Sequence, residues 1–175
     1  MNKAFTLIEV LIGISIFMVV IVSFLGLFGS AFSAQRRNLN AAYLLDNVSF
    51  TAEYMSRAIR MAQKDLLGTC IGSKNNFEIG TNSIKFLNCQ PIICICQEFF
   101  LQNQVIMVDK NGVSQPLTPS NLIVEKLNFE VLGQSQDDLI QPRITFGLQV
   151  RTEKEPYQSI NIQTTVSQRQ LDIQY

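Results

Sequence analysis

Four cysteines (Cys70, Cys89, Cys94 and Cys96) and one acid inside an apolar run (Glu9) are the residues whose types and placing carry chemistry here. Thiols can bridge, bind metal or attack, and a carboxylate in hydrocarbon demands a partner. The chain has no histidine, which removes the commonest general base and the commonest metal ligand together. Asp137 and Asp138 in GQSQDDL admit a carboxylate pair or a calcium ligand, but adjacent acids in a polar loop read as solvated. Glu125-Lys126 and Glu153-Lys154-Glu155 form no acid–base arrangement. Gly13, Gly26 and Gly29 lie in the apolar run, and Gly68 and Gly72 lack a following Lys-Ser/Thr pair, so no phosphate loop is present. We therefore expect no catalytic centre, no cofactor and no metal.

The cysteines read as disulfides, because all four lie in the part placed outside the membrane, where an oxidising compartment supports bridges. A closed zinc site and free buried thiols are the alternatives, and Cys94-Ile95-Cys96 is tighter than the spacing of common zinc knuckles. Four cysteines allow three pairings. A hairpin turning at Gln90-Pro91-Ile92-Ile93 sets Cys89 opposite Cys94, at a cross-strand distance of ~4.5–5.5 Å. Cys89–Cys94 is then the nearest pair, leaving Cys70 for Cys96.

Glu9 opens the run EVLIGISIFMVVIVSFLGLF. The nineteen residues from Val10 to Phe28 carry no charge, and at ~1.5 Å per residue they cover ~28 Å, close to the hydrocarbon thickness of roughly 30 Å. One helix can span the lipid bilayer. A secretory signal peptide is the rival reading, but its apolar stretch is ~7–15 residues and needs a longer basic leader. Burying an ionised Glu9 costs at least ~2.5–3.5 kcal/mol, so the acid is expected to pair. Lys3 and Arg36-Arg37 oppose each other under the positive-inside rule, and charge alone leaves the orientation open.

Two kinds of element must position these groups. FSAQRRNLNAAYLLDNVSFTAEYMSRAIRMAQKDLLG has no Pro and no Gly before Gly68. Ala41, Leu45, Val48, Ala52, Met55, Ile59, Ala62 and Leu66 recur at spacings of four and three, which predicts a helix with one apolar face. A coiled coil would give the same spacing, but the flanking positions carry no consistent charge code. From Gly68 turn residues appear and the period falls to two. Leu127, Phe129 and Val131, then Ile144, Phe146, Leu148 and Val150, then Ile160, Ile162, Thr164 and Val166, each define one face of a strand. No helical crossovers intervene, so the sheet is expected to be antiparallel and laid on the helix stripe, an α+β fold. Pro116-Leu117-Thr118-Pro119 reads as a turn before a strand. About 140 residues beyond the span suffice for one core. The 14 basic and 14 acidic residues balance, so no nucleic-acid partner is expected.

The string KAFTLIEVLI resembles the class III signal of type IV prepilins and pseudopilins. That resemblance implies cleavage by a prepilin peptidase between Ala4 and Phe5, N-methylation of Phe5, and an N-terminus on the cytoplasmic side. Ala4 stands where the family usually has Gly. It also implies the pilin-like layout of a long helix packed on an antiparallel sheet, divided into a leader (1–4), a transmembrane and assembly half of the helix (5–32), an amphipathic half (33–67) and a β-rich domain (68–175). In the family an acid like Glu9 is read as the partner of a neighbouring subunit's first amine. Gly26, where major pilins tend to have Pro, and the segments DNVSFTAEYMSRAIRMAQ and QTTVSQR resemble minor subunits of the J or W type. The expected protein is a filament subunit of a type II secretion, type IV pilus or DNA-uptake (competence) machine. Its partners would be other pilins or pseudopilins and an inner-membrane assembly platform. A stand-alone membrane-tethered binding domain and a major pilin are the alternatives.

Overall fold

The computed structural model describes residues 6–72, 75–90, 93–134 and 140–170. One helix, α1, runs from Leu7 to Arg60, and antiparallel strands follow it. The chain forms two compact units, residues 1–40 and residues 41–175.

In the first unit the helix is exposed almost everywhere, with large apolar side chains such as Phe17, Phe24 and Phe28 facing outward. Its serine hydroxyls are satisfied internally. Ser15 donates to the Leu11 carbonyl, Ser23 to Val19, Ser30 to Leu27 and Ser33 to Gly29, at 2.8 to 3.0 Å. That is what hydrocarbon requires, because no water there can take an unpaired donor. The helix is long and apolar enough to cross a membrane.

The second unit holds the core. A six-stranded sheet contains β1 (Ala62–Gln63), β2 (Glu78–Ile79), β3 (Ser83–Gln90), β4 (Ile93–Gln102), β5 (Val105–Lys110) and β6 (Val113–Pro116), in the order β1-β3-β4-β5-β6 with β2 also on β3. A three-stranded sheet follows, β7 (Leu122–Leu132), β8 (Arg143–Thr152) and β9 (Ser159–Ser167), in that order. All pairings are antiparallel. Tight turns explain the meander. Asn103-Gln104 and Asn111-Gly112 each place two consecutive residues at positive φ, the geometry of hairpin turns whose twist matches the strands.

Leu44, Val48, Thr51, Ala52, Met55 and Ile59 form the buried face of α1 in this unit. They pack on Ile84, Phe86 and Phe99 of the larger sheet and on Leu127, Phe129, Ile144, Phe146, Leu148 and Val150 of the smaller one. Rings link helix to sheet: Tyr54 meets Phe99 edge-on at 6.1 Å, Phe99 meets Phe86 at 6.0 Å, and Phe86 meets Phe77 at 5.9 Å. Fully burying a side chain such as Met55 or Ile59 contributes about 1.5–3 kcal/mol.

The helix differs from its sequence pattern in two ways. Leu44 is buried and Leu45 is 49% exposed, because adjacent leucines both fit a spacing of four to Val48 or three to it. The helix also stops at Arg60 instead of continuing to Gly68. Ala62 and Gln63 leave it to pair with Asn88 and Leu87 of β3, and the Met61 carbonyl accepts the Cys89 N–H at 3.3 Å. Ala62 is buried as a strand residue, and Leu66 is exposed. Sheet pairing outcompetes about two more helical turns, while Arg57 and Arg60 sit in the last turn, where the helix dipole favours cations.

Candidate functional site

The site begins where the described chain begins. Thr6 immediately precedes the helix and Glu9 lies in its first turn, the T-x-x-E spacing of a capping box. Both the Glu9 and Val10 N–H groups donate to the Thr6 carbonyl, at 3.1 and 3.3 Å, and the Thr6 hydroxyl donates to Glu9 Oε2 at 3.5 Å. The first turn of a helix carries unsatisfied N–H groups and the positive end of its dipole, so it is where a negative side chain is most favoured, by ~0.3–1 kcal/mol. Local structure therefore supports an acid at this position in an otherwise apolar segment. Thr6 was not singled out by the sequence reading, although the capping spacing was present in TLIE. Ala4 and Phe5 lie outside the described residues, as do Asp137, Asp138 and the Pro91-Ile92 turn.

The cysteines lie in the second unit. Cys70 is bonded to Cys96 with Cα atoms 5.2 Å apart, and Cys89 to Cys94 with Cα atoms 4.1 Å apart. Cys89 and Cys94 are register partners across β3 and β4, and Leu87 faces Cys96. No cysteine is free. Among the described residues no group of acids and cysteines could hold a metal ion.

Asp65 organises the loop that delivers Cys70, and the sequence reading passed over it. It is 1% exposed, and its Oδ2 accepts the N–H groups of Cys70 at 2.6 Å and Ile71 at 2.8 Å. Burial raises the carboxyl's pKa, but hydrogen bonds from the backbone of Ile71, Cys70, Thr69 and Gly68 outweigh it and hold the group below the usual carboxylate value. The available signal was Asp followed three residues later by Gly68, a turn residue at positive φ.

Glu125 sits at a bulge in β7 and accepts Arg151 Nε and Gln149 Nε2, each at 2.8 Å. Partly exposed pairs of this kind contribute little, ~0–1 kcal/mol. The pair ties β7 to its neighbour β8.

No curated protein and no solved structure matches the chain. Residues 1–25 match the prokaryotic N-terminal methylation motif, and that match supports a type IV pilin-like, class III signal on a chain whose α+β layout is pilin-like.

Proposed function

We propose that the protein is a structural, minor subunit of a type IV pilus-like or type II secretion filament. It inserts as a prepilin, is cut between Ala4 and Phe5, is methylated at Phe5 and then assembles through its apolar helix. The observation that carries this reading is the methylation-motif match over residues 1–25, joined to an acid in the first turn of a helix long enough to cross a membrane. The N-terminus would lie in the cytoplasm and residues 68–175 outside, in keeping with the two disulfides. Companion pilins or pseudopilins, a prepilin peptidase and an inner-membrane assembly platform are the proposed partners. Leader 1–4, assembly segment 5–32, amphipathic segment 33–67 and β-rich domain 68–175 are the proposed functional divisions.

Mass spectrometry of membrane-extracted protein tests the reading. A mature chain beginning at methylated Phe5 is expected. An intact Met1 in cells with an active prepilin peptidase, or a cut near Ser30 to Ala34, would overturn it.

A further inference from the structure

The end of the apolar run is built unlike its beginning. Phe28 closes the strongly apolar run from Val10, and a mostly small and polar stretch without charge then leads to Arg36. At ~1.5 Å per residue, Phe32 lies ~6 Å beyond Phe28 and the Arg36 backbone ~12 Å beyond it. Each headgroup layer is about 5–7 Å thick, so a helix along the bilayer normal puts Phe32 in that layer and the Arg36 backbone past it. The Arg36 side chain reverses this. Its guanidinium carbon sits 4.6 Å from the centre of the Phe32 ring, one turn back, as helical side chains lean toward the N-terminus. The charge is thereby held at the depth of Phe32. Arg37 follows at once and borders a shallow recess formed with Ser30, Ser33, Ala34 and Asn38. The small side chains at 30, 33 and 34 leave room beside its guanidinium.

Neither arginine has a carboxylate in salt-bridge range among the described residues, where the ion pairs are Arg57–Glu53 and Arg151–Glu125. The nearest acids along the sequence are Glu9 and Asp46. Two unpaired guanidinium groups beside an apolar span match the forked hydrogen-bonding geometry of a phosphodiester.

We propose that Phe32, Arg36 and Arg37 form a site for the headgroup of an anionic phospholipid in the leaflet at the C-terminal end of the span. The ligand is a membrane lipid, because Phe32 draws the Arg36 charge back toward the apolar run. The site fixes the depth of the helix through a phosphate contact. It rests on the reading of α1 as a membrane anchor.

Full-length protein reconstituted in phosphatidylcholine vesicles containing phosphatidylglycerol, then released in mild detergent and weighed intact, tests the site. Phosphatidylglycerol should be retained in preference to phosphatidylcholine. Arg36→Gln and Arg37→Gln should each lower that preference about fivefold, the equivalent of ~1 kcal/mol per arginine at an anionic surface. Phe32→Leu, which keeps the apolar volume and removes the ring face, should lower it about two- to fivefold. An unchanged preference in the double arginine variant would overturn the site. So would equal displacement of the lipid by glycerol phosphate, which would mark a soluble-anion site. Alkaline extraction of the same vesicles separates the two layers of the reading. Wild-type protein released by alkali would remove the anchor and the headgroup site together, whereas retained protein without lipid preference would remove the site alone.

Discussion

Asp65 Oδ2 accepts the Cys70 N–H at 2.6 Å, five residues along the chain, so a buried carboxylate orders the loop whose cysteine is bridged to Cys96. Replacing Asp65 with Ala would strand the N–H groups of Cys70 and Ile71 without acceptors. An unpaired buried donor costs about 1–3 kcal/mol, and Asp65→Ala should destabilise the second unit by at least that much. Urea unfolding read by pulse proteolysis measures it.

The same carboxylate predicts an acid response. Backbone hydrogen bonds that outweigh burial hold its pKa below the ordinary carboxylate value in the folded chain. A group depressed on folding stabilises the protein above its unfolded pKa, and the contribution is lost as pH falls through the folded value. Stability should therefore decline below about pH 4. Asp65→Asn, which cannot ionise, should be less stable near neutrality and should show a shallower decline in acid. Equal acid slopes for wild type and variant would refute the assignment.

The two bridges should not be equal in effect. Cys70–Cys96 closes a separation of 26 residues and Cys89–Cys94 one of 5. In the chain-entropy account these are worth about 3.5 and about 2 kcal/mol. Cys70→Ser/Cys96→Ser should lower the unfolding midpoint more than Cys89→Ser/Cys94→Ser. The opposite order would show that native hairpin geometry, not loop closure, dominates.

Two glycines give a paired prediction. Gly133 has φ of +75°, and a Cβ there would lie 2.9 Å from the backbone oxygens of Ile140 and Gln141. Gly133→Ala should cost about 1–2 kcal/mol for the left-handed backbone alone, plus the collision. Gly147 lies within β8, opposite Asn128, where a Cβ would meet only the end of the Asn128 amide, at 2.5 Å. That amide can rotate, so Gly147→Ala should cost clearly less. Matched urea titrations compare them.

How far the sequence carried depends on the range of the interaction. Period-two alternation identified Ile144, Phe146, Leu148 and Val150 as one strand face, and all four are buried. The same pattern in β9 leaves Ile160 and Ile162 half-buried, because β9 has a strand on one side only among the described residues, and edge position is not written in alternation. The helix end was illegible for a related reason. What stops α1 at Arg60 is pairing of Ala62 with Asn88 on β3, a contact between distant residues. Asn88 and Gln97 are buried polar residues bonded to each other at 2.7 Å, and no hydropathy pattern marks an amide pair on a core face. The Cys89–Cys94 relation was legible because a short hairpin makes sequence spacing equivalent to spatial spacing.

Glu9 carries the last prediction. On the proposed reading, cleavage before Phe5 creates an amine four residues from Glu9, and in a packed bundle of helices each acid faces the first amine of a neighbour. A charge buried in lipid at a cost of at least ~2.5–3.5 kcal/mol then becomes a paired contact that fixes subunit register. The competing account is that Glu9 only reaches the headgroups from its first-turn position, where the Thr6 hydroxyl donates to it. Glu9→Leu separates them. Neither insertion nor leader cleavage needs the carboxylate, so the variant should enter the membrane and be processed normally. Crosslinking to companion pilins in intact membranes should fall sharply if the acid docks subunits. Thr6→Ala removes the hydroxyl that donates to Glu9 without removing the charge, and it should leave crosslinking near the wild-type level. Full recruitment of processed Glu9→Leu would mean that the acid serves only the helix that carries it.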